Sequence, residues 1–433
     1  MNNGEDSCIY MKNLFNFLKS KTVFDIQWAF LSLLSSGLLF LILRILLGRE
    51  LGTTAFGIYT LVFSVYQFGL QFANFGIGAA LTKYIAEYCC TQEIIRKYFS
   101  SGIVCSIFSG LSIGAILFIL SPFIAHSFFN LPELEPLLKI TAVCYPFISI
   151  QLTISGTFNG MRKMKAFALL NISLNILIIV FSIIFVMLYH LSLFGAVLGY
   201  TIPTCIVGGL SPLLITGMNW IQKTSIKFDI IKNVTTFGFF FALSTSSSFL
   251  NAYFGTILIG YYLNPADVGI YAVATTLSQA LTILPSAIQR ITTPAIAFSY
   301  TNKGNKETRK LIIKSMKYSF LAVLGIGFCL ILAGPWLISF LFSENYLPAY
   351  PPLILLTIGN IIFAPAIATG ACFFSMGKIT LPFRVNILNI FLTISLNIIL
   401  IPTFGIIGAG LATLCMQILL LVIQLKLIWI YTA

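Results

Sequence analysis

The sequence predicts an all-α integral membrane protein of about twelve transmembrane helices, in two six-helix halves related as parallel repeats. Three observations predict it. Of its 433 residues, 58% are apolar and only 9% are charged, against about 25% charged in a water-soluble domain. A soluble fold this poor in charge could not cover its surface, whereas a lipid-facing surface needs no such cover. Apolar runs of the roughly 20 residues that a span requires follow one another almost end to end. Finally, Gly48, Leu51, Gly57, Ile58 and Tyr59 return as Gly260, Leu263, Gly269, Ile270 and Tyr271, each 212 positions later.

Taken in order, the first 24 residues are mostly polar and mixed in charge, and the first apolar run follows at about 26–47. That run is longer than the apolar stretch of a cleaved leader and ends at Gly48-Arg49-Glu50-Leu51-Gly52, so it reads as a permanent span. Further spans are expected near 57–80, 99–121, 137–158, 167–188, 193–216, 236–259, 268–289, 316–341, 350–373, 381–400 and 404–425. Pro122, before a Phe-rich turn holding Phe128 and Phe129, is echoed by Pro335 before Phe340 and Phe342. Gly160-Met161-Arg162-Lys163 is echoed more weakly by Ser375-Met376-Gly377-Lys378. Phe194-Gly195-Ala196 opens the sixth span as Phe404-Gly405-Ile406 opens the twelfth. The loop at 218–235 separates an N-terminal half, 1–222, from a C-terminal half, 223–433. Residues 299–315 read as a solvated loop running into an amphipathic helix.

Because the repeat offset covers six spans, an even number, both halves enter the membrane with the same topology. Counted loop by loop, 22 of the 25 basic residues fall on one side, and only Arg44, Arg49 and Lys139 fall on the other. The positive-inside rule places the basic side, and both termini, in the cytoplasm of a plasma (inner) membrane protein. The formal charge of +13 is then explained by topology and anionic lipid heads, and calls for no nucleic-acid partner.

At several points the residues resemble a known family. Arg44-Ile45-Leu46-Leu47-Gly48-Arg49-Glu50-Leu51-Gly52 with Phe56-Gly57-Ile58-Tyr59 is similar to the first-loop signature of polysaccharide exporters. These are the O-antigen and capsule flippases of the multidrug/oligosaccharidyl-lipid/polysaccharide exporter superfamily. Leu81-Thr82-Lys83-Tyr84-Ile85-Ala86-Glu87 resembles that family's end of helix two, and Asp267-Val268-Gly269-Ile270-Tyr271 resembles the start of its helix eight. The connection from Pro294 through Lys310 fits the family's link between helices eight and nine. The likeness covers nearly the whole chain. Two positions depart from the family: Asn74-Phe75-Gly76 stands where Asp-x-Gly is common, and Asn251 where an acidic residue often sits.

The resemblance implies a non-enzymatic flippase. It would move a polyprenyl-(pyro)phosphate-linked oligosaccharide to the outer face by alternating access, for surface polysaccharide synthesis. It implies no cofactor; membrane lipids, a coupling ion (H+ or Na+) and a glycan polymerase of the same pathway would be its partners. The alternative is a multidrug or cation antiporter of the same superfamily. Such exporters commonly use a buried acidic relay, and all twelve acidic residues here lie in loops, terminal segments or span ends.

An anionic lipid head calls for fixed positive charge facing a cavity, with amides for the sugar. Candidate cations are Arg44, Lys83, Arg290 and Arg384, each at or near a span end, where long basic side chains also snorkel to the interface. Gln67, Gln71 and Asn74 fall at i, i+4 and i+7, on one face of the second span. Asn251 and Gln279 add polar candidates in spans seven and eight. Such side chains also serve simply to bond neighbouring helices. The nine cysteines show no metal-ligand spacing, and His126 and His190 suggest no site. Glu133 and Glu135, at i,i+2, would point apart on a helix, which disfavours an acid–base pair of the kind a glycan polymerase needs.

Overall fold

The computed structural model describes residues 21–88, 91–216, 228–302, 304–376 and 380–432. Among these, every regular element is helical. The main helices are α1 (Lys21–Asn74), α2 (Ile77–Glu87), α3 (Gln92–Pro122), α4 (Leu134–Ala142), α5 (Cys144–Gly160), α6 (Met164–Ile183) and α7 (Ser192–Leu210). After the short α8 (Leu213–Thr216) come α9 (Phe228–Tyr262), α10 (Pro265–Gln279), α11 (Ile283–Asn302), α12 (Asn305–Leu341), α13 (Tyr350–Ala368), the short α14 (Cys372–Ser375) and α15 (Thr380–Thr432).

Eight stretches of described helix are long and apolar enough to cross a membrane, or nine when the bent pair α4–α5 is counted. Two of them, Gln27–Glu87 and Arg384–Tyr431, run for 61 and 48 residues. At ~1.5 Å per residue each is long enough to cross a ~30 Å core twice. With α9 in the seventh position, the twelve expected spans are all accounted for.

The long helices turn at glycines. Gly52 in α1 has φ 73° and ψ 176°, and Gly405 in α15 has φ 61° and ψ −140°. A Cβ at either angle would meet its own backbone, so only glycine turns the chain there without strain. Nothing else crowds Gly52 within 4 Å. Gly52→Ala should therefore cost backbone strain alone, about 1–3 kcal/mol, read as a lowered melting temperature in detergent.

A proline bends one other span. Helices α4 and α5 meet at 41°, because Pro146 has no N–H to give the Ala142 carbonyl and its ring presses against that turn. Pro285 likewise removes the bond to Leu281, where α10 and α11 join through a tight turn at Ala280–Thr282. Two sequence expectations change. The second span does not run unbroken over 57–80: it breaks at Phe75 (φ 44°) and Gly76 (φ 65°). Of residues 299–315, every described one except Gly304 is helical, in α11 or α12. The apolar faces of Ile296, Ile312 and Met316 share one buried cluster, and this holds the segment in the fold.

The chain forms two compact units. The first takes the described residues within Met1–Leu43, Gly69–Pro122 and Glu135–Ala242, and the second takes Arg44–Phe68, Phe123–Leu134 and Leu243–Ala433. The first is built around α5, which packs against α2, α3, α6 and α7. Its apolar centre includes Ile77, Leu81, Ile85, Tyr98 and Val234. Buried amides and hydroxyls tie its helices together: Gln151 donates to Asn171 at 3.5 Å, Asn171 to Ser155 at 3.2 Å, and Asn175 to Ser36 at 3.0 Å. In a membrane, where apolar contact gives little net drive, such bonds and close packing do much of the holding. Asp25 pairs with Arg162 at 3.3 Å near the start of α1.

The second unit centres on α13, packed on α10, α11, α12 and α15. Asn360 donates to the Ser278 carbonyl at 3.0 Å and accepts from Gln417 at 2.9 Å. The Tyr346 hydroxyl donates to the Gly48 carbonyl at 2.8 Å. Within this unit the sequence repeat becomes a contact. A Cβ built on Gly57 would collide with the Pro265 carbonyl and lie 3.0 Å from the Gly269 nitrogen; one built on Gly269 would collide with the Thr53 carbonyl and lie 3.1 Å from the Gly57 nitrogen. Thr53 and Pro265 are themselves 212 apart, so the two contacts are copies of one another. Gly48 and Gly260 also each face a phenylalanine: a built Cβ would lie 2.6 Å from the Phe342 ring and 3.1 Å from the Phe129 ring, with the Leu61 side chain closer still to Gly260. The halves are parallel repeats that touch through equivalent residues.

Candidate functional site

Two polar regions of the second unit stand out. The first surrounds Arg44, the one candidate cation that the fold buries, at 5% exposure. Its guanidinium lies 5.9 Å from the Phe56 ring and 5.8 Å from the Phe63 ring, and it donates to the Thr276 hydroxyl at 3.5 Å. Rings within ~6 Å attract a cation through their negative faces, and a weakly hydrated guanidinium tolerates such a place better than an ammonium does. Farther along α1, Gln67 donates to the Tyr253 hydroxyl at 3.2 Å, and Phe63 packs edge-on to the Tyr253 ring at 6.4 Å. The result is a buried positive charge ringed by aromatic, hydroxyl and amide groups. Such a set can recognise an anionic polar head.

The second region is a cavity of about 250 Å³ among α11, α13 and α15. Gln289, Asn386, Asn389 and Gln424 line it with Phe363 and Phe373. Asn389 is 4% exposed. Gly370 makes room there: a Cβ on it would come within 3.0 Å of the Gln289 amide nitrogen.

The other candidates are distributed differently. In the first unit, Gln71 donates to the Ala242 carbonyl at 3.1 Å, and the buried Asn74 amide oxygen has no hydrogen-bond partner. The exposed Lys83 ammonium sits 4.8 Å from both the Tyr84 and Phe237 rings. Thus Gln67, Gln71 and Asn74 share one helix, as their spacing predicts, but only Gln67 joins the Arg44 region. Arg290, Arg384 and Gln279 are exposed. The side chain of Asn251 lies outside the described residues.

Asn74 ends the helix just before the break in the second span at Phe75 and Gly76, where a Cβ on Gly76 would sit 2.8 Å from the Gly238 Cα. Sequence reasoning missed the cavity amides. Their signal was present as Asn386 and Asn389 at i,i+3, on one face of a helix.

The helical order and the kinked long spans define a multi-pass membrane protein. A MATE family multidrug resistance transporter of the MOP superfamily, in an inward-facing conformation, matches with a TM-score of 0.76 at 16% identity, over 92% of this chain and 94% of its own. The lipid II flippase MurJ, in an inward closed conformation, matches with a TM-score of 0.73 at 17% identity, over 93% of this chain and 87% of its own. At these identities the likeness is one of fold.

The family described as polysaccharide biosynthesis protein matches residues 23–298, more than half of the sequence, and the chain belongs to it. Among its relatives, the probable flippase AglR of Haloferax volcanii is 31% identical over 172 residues, 37% of this chain and 34% of that protein. An uncharacterized membrane protein of Methanocaldococcus jannaschii is 22% identical over 419 residues, 91% of this chain and 81% of that protein.

Proposed function

We propose that this protein is a flippase that moves a lipid-(pyro)phosphate-linked oligosaccharide from the cytoplasmic to the outer face of the plasma membrane. The observation that carries the reading is Arg44, a permanently charged guanidinium held among rings, a hydroxyl and an amide within the first span. A charge in that position is costly and is kept where it meets a charged cargo or pathway. Arg forks onto phosphate oxygens, and a pyrophosphate head presents several. Family membership and a relative named as a probable flippase support the same reading.

In this mechanism the halves 1–222 and 223–433 rock against each other while the lipid tail stays in the bilayer. Arg44 is uncovered as its surroundings part. Both termini face the cytoplasm, where Lys83, Arg290 and Arg384 draw in the anionic head. No bond in the cargo is made or broken, so the protein is not an enzyme. A coupling ion and a glycan polymerase are its functional partners.

The test is to deplete the protein in its host and follow the sidedness of lipid-linked oligosaccharides in membrane vesicles. Complete glycan-lipid should accumulate on the cytoplasmic face. Reintroducing the protein with Arg290→Gln and Arg384→Gln together should restore transport at a rate lower by roughly tenfold, as expected for lost charge-assisted contacts. Unchanged glycan traffic, with new sensitivity to cationic dyes, would replace this reading by cation export.

A further inference from the structure

The amide-lined cavity among α11, α13 and α15 is separate from the Arg44 region, and its chemistry is different. Among the described residues no charged side chain lines it. Its polar lining is four carboxamides, and their existing bonds decide what they can offer a ligand. The Gln424 amide nitrogen already donates to the Ala366 carbonyl at 3.3 Å and the Thr369 hydroxyl at 3.0 Å, which leaves its oxygen to accept. The Asn386 nitrogen donates to the Ser244 carbonyl at 3.4 Å, again leaving an oxygen. Asn389 has the opposite polarity: its oxygen accepts from the Thr393 hydroxyl at 3.2 Å, leaving the nitrogen to donate. Gln289, in the space that Gly370 clears, brings both.

A metal cation wants acceptors only, and an anion wants donors only. A mixed set matches groups that donate and accept at once, and hydroxyls do both. Phe363 and Phe373 add aromatic surface, on which the apolar C–H face of a sugar ring can rest. The volume of about 250 Å³ is room for on the order of eight waters at ~30 Å³ each. It falls just below the ~300 Å³ at which pockets for drug-sized ligands begin.

We infer that this cavity is a sugar subsite that holds a single pyranose ring through Gln289, Asn386, Asn389 and Gln424. As a place for one residue of the transported glycan it rests on the flippase reading; as a binding site it does not. The test uses the purified full-length protein in nanodiscs and saturation-transfer NMR with three probes: methyl glucopyranoside, methyl galactopyranoside and methyl N-acetylglucosaminide. At least one should bind with a Kd in the millimolar range, unaffected by exchanging NaCl for choline chloride. Gln289→Met and Asn386→Leu keep side-chain bulk and remove the amides at two half-buried positions, so each should weaken binding roughly fivefold to tenfold. Gly370→Ala, which moves the Gln289 amide, should weaken it as well.

The proposal is overturned if the wild-type protein binds no glycoside at tens of millimolar, or if all three variants bind as the wild type does. Glycoside binding that fails without sodium would assign these amides to a cation and overturn it too. The vesicle experiment separates this inference from the broader reading. Amide-dependent glycoside binding together with unchanged glycan sidedness on depletion would leave the subsite standing and remove the flippase. Glycan accumulation on depletion, with binding indifferent to the variants, would do the reverse.

Discussion

Arg44→Met will slow transport of the lipid-linked glycan by about a hundredfold while the protein stays folded. A hydrogen bond to a charged group contributes roughly 1.5–3 kcal/mol, and losing the upper part of that range is two decades in rate. Methionine fills similar space without a charge, and replacing a buried ion by an apolar side chain is often neutral or stabilising. The melting temperature should therefore hold or rise as activity falls. A structural arginine would behave in the opposite way, with stability lost and residual transport preserved in whatever fraction folds. Arg44→Lys keeps the charge but loses the planar fork, so an intermediate rate is expected. Vesicle transport rates and melting curves on the three proteins check this. Wild-type transport by the methionine variant would reduce Arg44 to a tether for Thr276.

Gly57→Ala should be among the most destabilising single-methyl additions to the chain. The new carbon has no free space: it meets the Pro265 carbonyl and the backbone of Gly269. No rotamer change can relieve a backbone clash, so the two helices must separate. Overpacking of this kind costs about 3 kcal/mol or somewhat more. Gly269→Ala should cost a similar amount, because the same clash is repeated on Thr53. The double variant should cost clearly less than the two singles added, since the first methyl already parts the helices for the second. Melting curves on all four proteins read this directly, and strict additivity would mean that the two glycines do not share one contact.

Much of this architecture was legible in the chain because membrane solvation is a coarse constraint. Apolar runs must be long and helical, and so the order of twelve spans could be read from hydropathy. The five-residue repeat was legible because a duplicated contact keeps duplicated residues; Gly57 and Gly269 now meet as equivalents. The break at Phe75-Gly76 was not legible, since its cause is the close approach of Gly238, a residue more than a hundred positions away. The helical character of 299–315 was hidden for a similar reason: Ile312 and Met316 find their apolar partners in Cys372 and Phe373. Arg44 could be proposed from its place near a span end, but only packing decides between snorkelling and burial. The cavity amides were overlooked because in any one helix an Asn or Gln looks like ordinary interhelical glue. Only their convergence from α11 and from both limbs of α15, on either side of the Gly405 turn, sets them apart.

The reciprocal glycine contact also bears on descent. In a two-fold homodimer of six-helix chains, one surface patch meets its own copy, and a glycine on the axis would face itself. Gly57 and Gly269 preserve that relation inside a single polypeptide. In such a dimer any mutation at this position strikes both sides of the contact together, making a bulky residue doubly unfavourable. In a single polypeptide each side can mutate alone, and still the carbonyl opposite forbids a Cβ on either. The two halves are thus free to diverge almost everywhere except where each is the other's mould.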